Sequence, residues 1–218
     1  VAASAEYTNF HGGTVADAIA AINASVTRVN EVYEVDLGVS VELIADNDDI
    51  VYTNAATDPF GGNLNSEIQN TLTDVIGAAN YDVGHLFHKG GNGGNAGFIG
   101  VICDDNKKGS AYSSATNPVG YLFDIEYVAH EMGHQFGANH TWSYESEGTV
   151  VQAEPASGTT IMSYAGITGN NDVASSAEDY FHYYSIQQIS EHINSISCGA
   201  IVENLSNVGP EVSDVGDF

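Results

Sequence analysis

The chain has 218 residues, which is enough to bury the core of one large domain or of two small lobes. It carries 29 Asp and Glu against four Lys and Arg, a formal net charge of −25, and this balance excludes nucleic acid as a partner because phosphates would find almost no cations. A membrane-spanning helix is excluded too, since no apolar run reaches the length of a bilayer span.

Hydrophobic periodicity predicts two helices and a strand in the first third of the chain. Apolar residues recur on one helical face over 14–33, and Thr14 can cap the start of this helix. Alternation of apolar and polar residues over 39–43 predicts a half-buried strand. A loop rich in Asp, Asn and Gly follows over 46–63, and a second amphipathic helix begins at about Ser66.

Further elements are predicted in the middle and at the end of the chain. Short strands are expected over 83–87 and 98–103, with a glycine-rich connection over 89–97 between them. A helix is predicted over 125–136, and isoleucines spaced three or four residues apart over 186–196 mark a final helix. The chain is therefore expected to contain both helices and strands.

The two ends of the chain and its cysteines bear on where the protein acts. The chain begins at Val1 without an initiator Met or a signal peptide, as expected of a mature, processed product. The tail over 204–218 is polar and aperiodic, and we expect a linker there, with further domains in the precursor. Cys103 and Cys198 would be free thiols in a cytosolic protein and a disulfide in a secreted one, and the residues alone leave both open.

One stretch, HEMGHQFGANH, holds three of the eight histidines of the chain. His130 and His134 are four residues apart, so both imidazoles face the same way on a helix and can bind one ion. Glu131 projects beside them, where it can accept a proton from water on the metal. Gly137 can end the helix, because glycine tolerates a left-handed conformation, and His140 then returns to the same ion. Three neutral imidazoles leave the fourth position of a zinc ion open, as in catalytic zinc sites.

The alternative for each of these histidines is a structural side chain. That interpretation can explain one of them but not three at metal-ligand spacing. The other five histidines have no such spacing, and we expect them to be structural: His11, His85, His88, His182 and His192.

The stretch resembles the zinc-binding signature of the metzincin metallopeptidases, His-Glu-x-x-His-x-x-Gly-x-x-His. Those enzymes also carry a methionine turn beneath the metal, and Ile161-Met162-Ser163-Tyr164 follows at a similar interval. The resemblance implies that Met162 is a hydrophobic floor under the imidazoles, the alternative being a core methionine. Tyr164 resembles the tyrosine of astacins and serralysins that can approach the zinc, the alternative being a buried tyrosine of the lower lobe.

Within the metzincins, the chain most resembles the reprolysin (adamalysin) group and its bacterial relatives. GFIGVICDD is similar to the edge strand of that group, which ends in Cys-Asp, and the cysteine of SISCGA is similar to the partner of that first cysteine. The resemblance implies a disulfide between Cys103 and Cys198 and a secreted, extracellular protein. Thr141 departs from the group, which usually has Asp after the third histidine.

The resemblance also implies an α/β fold. We expect a metzincin-like twisted mixed sheet with long helices, an active-site helix below it, and a small irregular C-terminal lobe. The catalytic domain would span 1–203, with an upper lobe over about 1–137 and a lower lobe over about 138–203, and the zinc would lie at the floor of the cleft between them. Residues 98–102 would offer a free strand edge on which a substrate lies.

The expected function is that of a secreted zinc-dependent endopeptidase, monomeric and freed of a propeptide, that acts on polypeptides. One catalytic Zn²⁺ on His130, His134 and His140 would polarise the scissile carbonyl group. Glu131 would take a proton from the zinc-bound water and pass it to the leaving amine. The alternative is a secreted, calcium-loaded binding or adhesion module with a vestigial zinc site. The presence of Glu131 argues against it, since a non-catalytic site needs no general base.

Calcium is a second cofactor suggested by the acidic composition. Three places offer candidate ligands: the run Asp46-Asn47-Asp48-Asp49, then Asp82, which resembles a reprolysin calcium ligand by position, and the pair Asp104-Asp105. None of them has the spacing of an EF-hand loop. The alternative is that these are solvated loop carboxylates, which favour solubility in a salty or cold medium.

Overall fold

The structure is a computed structural model that describes residues 1–147 and 151–201. Its strands are β1 (Ala2–Ala3), β2 (His85–Lys89), β3 (Gly93–Asn95) and β4 (Ala111–Ala115). They form one four-stranded sheet in the order β1-β2-β4-β3, in which β1, β2 and β4 run parallel and β3 runs antiparallel to β4. The expectation of an α/β fold with a mixed sheet is confirmed.

Helices surround this sheet. The α-helices of the described ranges are α1 (Ala5–Phe10), α2 (Val15–Leu37), α3 (Leu64–Thr71), α4 (His130–Gln135) and α5 (Tyr183–Ser195). There are also two π-helical stretches in the described ranges. One, Leu72–Ile76, follows α3, and the other, Leu122–Ala129, leads into α4. Short 3₁₀ turns occur at Asn47–Ile50, Ala78–Asn80 and Gly169–Asn171. Within the described part of the chain, none of the helices is long and apolar enough to cross a membrane.

Helix α2 fixes the helix that carries the histidines. Thr14 caps its start by accepting a hydrogen bond from the N–H of Asp17, which confirms that part of the prediction. Tyr33, fully buried, donates from its hydroxyl to the carbonyl of Ala129 at 2.9 Å. Its ring also packs edge-on against Phe136. Burial of each such large side chain stabilises the fold by roughly 1.5–3 kcal/mol, so the residue before His130 is firmly held.

The strand predicted over 39–43 is wrong. The structure has no ladder there; the N–H and the carbonyl of Val41 both bond to the side-chain amide of Asn30, each at 2.9 Å. A side chain of α2 thus occupies the backbone groups that a neighbouring strand would have used. The alternating pattern indicated burial of one face, but it could not reveal this partner.

The strand predicted over 98–103, with its free edge at 98–102, is also wrong. The backbone N–H groups of Gly100 and Val101 donate to the carbonyl oxygens of His134 and Gln135, each at 2.9 Å. The backbone of this segment therefore pairs with the carbonyl groups at the C-terminal end of α4 and not with a neighbouring strand. The edge of the sheet is β3 instead, inside the predicted glycine-rich connection.

Other predictions differ from the structure by less. Strand β2 begins two residues later than the predicted 83–87. Strand β4 was missed because its sequence, AYSSA, has few of the branched and aromatic residues that favour strands. The helices predicted over 125–136 and 186–196 are confirmed with shifted ends. The tail over 204–218 lies outside the described residues.

Cys103 and Cys198 form a disulfide, with their Cα atoms 5.8 Å apart. The bond joins the segment 98–103, whose backbone contacts the C-terminal end of α4, to the chain just beyond α5. It closes a loop with a sequence separation of 95 residues. The pairing is the one that the family resemblance implies.

Reduction of this disulfide should lower the free energy of unfolding by about 4 to 5 kcal/mol, because a long loop is then free in the unfolded chain. Urea unfolding with and without reductant measures the difference. The Cys103→Ser/Cys198→Ser double variant is the control, since it should match the reduced protein in both buffers. Equal urea midpoints for the oxidised and reduced wild type would refute the prediction.

Candidate active site

Helix α4 carries His130, Glu131 and His134, and all three side chains are buried. The helix ends just before Gly137, whose φ of +116° lies in the region that favours glycine. The turn brings His140 back to the same place. The arrangement predicted from the spacing is therefore present, including the glycine that ends the helix.

The three imidazoles converge through their Nε2 atoms. The Nε2 atom of His140 lies 3.3 Å from that of His130 and 3.0 Å from that of His134. Nitrogen ligands at tetrahedral positions around zinc are about 3.3 Å apart, given Zn–N distances of about 2.0–2.1 Å. Within 1–147 and 151–201, these side chains are the one group of three or more His, Cys, Asp or Glu that could hold a metal ion. The donor set fits zinc.

The other ring nitrogen of each histidine donates to an oxygen atom. The Nδ1 partners are the carbonyl of Ile161 for His130 and that of Ala138 for His134, both at 2.7 Å, and the carboxylate of Glu147 for His140, at 2.8 Å. Because these oxygens only accept, each Nδ1 carries the proton and each Nε2 presents a lone pair. Such bonds orient metal-binding imidazoles and raise their basicity.

Burial keeps the histidines neutral. It lowers the pKa of His130 well below the usual value, and the neighbouring His134 and His140 lower it further. Burial, followed by His140, lowers the pKa of His134 to about 4. For His140, burial lowers the pKa and outweighs the opposite effect of Glu147, so the neutral ring donates a hydrogen bond to the Glu147 carboxylate. Neutral imidazole is the form that binds metal.

Glu131 lies between the histidines and the edge strand. Burial raises the pKa of its carboxyl group to about 8, and only the backbone of Ala96 acts in the opposite direction. Its side chain packs on Gly94 of β3, where an added Cβ would lie 2.4 Å from Cγ. A pocket opens here that is lined by residues 94–99, Glu131, His134, His140, Glu147 and Tyr164. A carboxylate with a high proton affinity thus faces the space beside the histidines.

The predicted methionine turn lies under α4. Met162 is fully buried, and its Sδ atom would be 2.6 Å from a Cβ added to Gly133. Tyr164 also reaches the site: its ring centroid is 4.5 Å from that of His140 and 6.1 Å from that of His130. Burial raises the pKa of the Tyr164 hydroxyl above its usual range, so it stays a hydrogen-bond donor at neutral pH.

Three residues near the histidines were not predicted from the sequence. Glu147 bonds to His140, and Trp142 stacks on the same ring with centroids 5.8 Å apart. Glu154 is a buried carboxylate behind them. They lie in a stretch without periodicity, where position in the sequence gives no guide to position in space.

The other five histidines do not join the metal-binding group. His85, for example, is buried between Gln135 and Ser113, to which its ring nitrogens bond.

The calcium candidates gather no cluster of three carboxylates in the described ranges. Asp104 and Asp105 pair instead with Lys107 and Lys108, at 3.4 Å and 2.6 Å.

Comparison with known proteins agrees with this geometry. The sequence model of metallopeptidase family M12B, reprolysin-like, matches residues 1–192, a range that contains the three histidines and the methionine turn. No curated protein sequence matches the chain.

Replacement of Gly94 by Ala tests the packing of Glu131. The added Cβ would overlap Cγ of Glu131, which is close to the helix backbone and has little room to move, so Gly94→Ala should lower the free energy of unfolding by about 1–3 kcal/mol. Gly91→Ala is the matched control in the same glycine-rich segment, because nothing lies within 4 Å of its Cβ position. The cost of Gly94→Ala should shrink in a Glu131→Ala background. An equal cost in both backgrounds, measured by urea unfolding, would contradict the contact.

Proposed function

Because the chain belongs to the reprolysin-like metallopeptidases of family M12B, we propose that it is a secreted zinc-dependent endopeptidase that cleaves polypeptides. The family membership gives the reaction, hydrolysis of peptide bonds, and the class of substrate. The observation that carries the proposal is the convergence of three Nε2 lone pairs beside a buried carboxylate.

His130, His134 and His140 would hold one zinc ion through their Nε2 atoms. Their neutral state, their Nδ1–H bonds and their mutual distances support this role. Zinc bound there supplies Lewis acidity, which polarises a peptide carbonyl group and lowers the pKa of water.

Glu131 would act as the general base and then as the general acid. Its carboxylate takes a proton from the attacking water and later gives it to the nitrogen of the leaving amine. The position of its side chain in the pocket beside His134 and His140 supports this role. The burial that raises its pKa favours the half of the cycle in which the carboxyl group holds the proton.

The substrate backbone would lie along the outer edge of β3. This strand ends the sheet and pairs with β4 on its other side. Gly94 touches Glu131, and residues 94–99 line the pocket, so a peptide on this edge would pass the reacting groups. Addition of a strand to a sheet edge recognises a peptide backbone through main-chain hydrogen bonds.

Tyr164 would stabilise the negative charge that develops on the carbonyl oxygen. Its ring lies beside His130 and His140, and its hydroxyl keeps its proton at neutral pH. A neutral donor aimed at a developing oxyanion lowers the barrier without costing affinity for the ground state.

The disulfide between Cys103 and Cys198 supports secretion, because such bonds persist in oxidising compartments.

We propose one catalytic domain over 1–203, with the cleft between lobes of about 1–137 and 138–203. The monomeric state and a removed propeptide stay predictions. Calcium stays a prediction without a cluster of ligands in the described residues.

Glu131→Gln should reduce the turnover of denatured casein by about 10² to 10⁴, because the amide cannot accept the proton. Zinc content should stay at the wild-type level, since the three imidazoles remain. Turnover by stopped assay and metal content by elemental analysis check both parts. A variant that keeps near wild-type turnover with zinc bound would remove Glu131 from the mechanism and favour the alternative of a binding module.

Tyr164→Phe should lower kcat by about 10² to 10³, the usual cost of losing one oxyanion donor, with little change in KM. The melting temperature should stay close to that of the wild type, because the ring is retained. Steady-state kinetics and thermal melts decide between the two interpretations. A lower melting temperature with full activity would make Tyr164 a structural residue only.

A further inference from the structure

Glu154 is a buried carboxylate that the proposed mechanism does not use. Its exposed fraction is 6%. No Lys, Arg or His within the described ranges forms an ion pair with it. A buried charge without a counter-ion is costly unless hydrogen bonds compensate it. A carboxylate at this position must therefore be stabilised by hydrogen bonds.

Three threonines surround this carboxylate. The hydroxyl groups of Thr141 and Thr160 donate to Oε2, the latter at 2.5 Å. The N–H groups of Thr159 and Thr160 donate to Oε1 at 2.8 Å and 3.1 Å, and the Thr159 hydroxyl adds a longer bond at 3.4 Å. Burial alone would raise the pKa of Glu154, but these bonds outweigh it and lower the pKa, so the group is charged at neutral pH.

The donors come from two segments that support the histidines. Thr141 directly follows His140, and its own N–H donates to the carbonyl of Met162 at 3.1 Å. Thr160 directly precedes Ile161, whose carbonyl accepts the Nδ1–H bond of His130. The Glu154 carboxylate thus links Thr141, which follows His140, to Thr160, which lies next to the residue that accepts the hydrogen bond of the His130 ring.

The tie is reinforced by the backbone of Glu154. Its N–H donates to the carbonyl of Thr141 at 2.8 Å, and its carbonyl accepts the hydroxyl of Ser143 at 2.7 Å. Gly158 allows the close approach, because a Cβ there would lie 3.1 Å from Cδ of Glu154. Backbone and side chain therefore hold the same junction.

We propose that Glu154 is a positioning residue of the metal site, which clamps Thr141 to Thr160 and so holds His140 and His130 at ligating distance. The inference rests on the zinc binding proposed above. Glu154 contacts neither metal nor substrate in this scheme. Removal of a supporting hydrogen-bond partner of metal ligands typically weakens metal affinity 10- to 100-fold.

Glu154→Gln tests the proposal with a side chain of the same shape. The amide keeps one acceptor oxygen and turns an NH₂ group toward donors, so the affinity for zinc should fall by about 10- to 100-fold. Competition against a chromogenic chelator measures this affinity in the full chain without reference to activity. The absorption spectrum of the Co²⁺-substituted variant should also change, because the ligand geometry relaxes.

Asp58→Asn is the matched control. Its carboxylate likewise accepts two backbone N–H bonds, from Ala5 and Phe60, each at 2.7 Å, and none of these residues lines the pocket. Zinc affinity should be unchanged in this variant. An equal loss of affinity in Asp58→Asn and Glu154→Gln would overturn the proposal, because the effect would then reflect general destabilisation.

Thr141→Val provides a second variant if Glu154→Gln fails to fold. It removes one donor and leaves the other bonds, so zinc affinity should fall by roughly threefold to tenfold. If Glu154→Gln folds, a zinc affinity equal to that of the wild type would overturn the role of Glu154. If it does not fold, the same result in Thr141→Val would overturn that role. A wild type that binds no zinc would instead overturn the proposed function, and the two failures are therefore distinct.

Discussion

The end of helix α4 at Gly137 is the constraint on which the site depends. Two histidines on one helix face supply only two of the three ligands. A third imidazole can meet them only if the chain reverses its direction immediately after the helix. The positive φ of Gly137 permits this reversal. The carbonyl groups of His134 and Gln135 at the end of the helix accept from the N–H groups of Gly100 and Val101. A loop remote in sequence therefore pairs with the end of the helix, just before the turn that leads to His140.

Buried polar groups then fix the site from both sides. Above it, Gln135 bonds to His85 and to the carbonyl of Gly84, which ties α4 to the sheet. Below it, Glu154 ties the two segments that follow the helix. Satisfied polar networks of this kind specify one arrangement more strictly than apolar packing does. The positions of the three histidines thus depend on buried polar groups outside the proposed ligand set.

The sequence predicted the site better than it predicted the sheet. Side chains four apart on a helix must share a face, so His130 and His134 followed from spacing alone. The segments over 39–43 and 98–103 have the pattern of buried strands, but their backbone partners are the Asn30 side chain and the end of α4. Pattern indicates burial and not the identity of a partner. Glu154 could not be found for the same reason, since Glu154 and its donors lie in a stretch without periodicity, where pattern does not predict which groups meet.

The proposed activity requires that the three histidines hold a zinc ion on which hydrolysis of peptide bonds depends. The most direct test is the cleavage of denatured casein by the wild-type chain at known metal content, before and after removal of metal by a chelator and after return of zinc. The account predicts one zinc ion per chain, loss of cleavage with the metal, and recovery in proportion to the zinc returned. Cleavage by the metal-free chain, or none by the zinc-loaded chain, would contradict it.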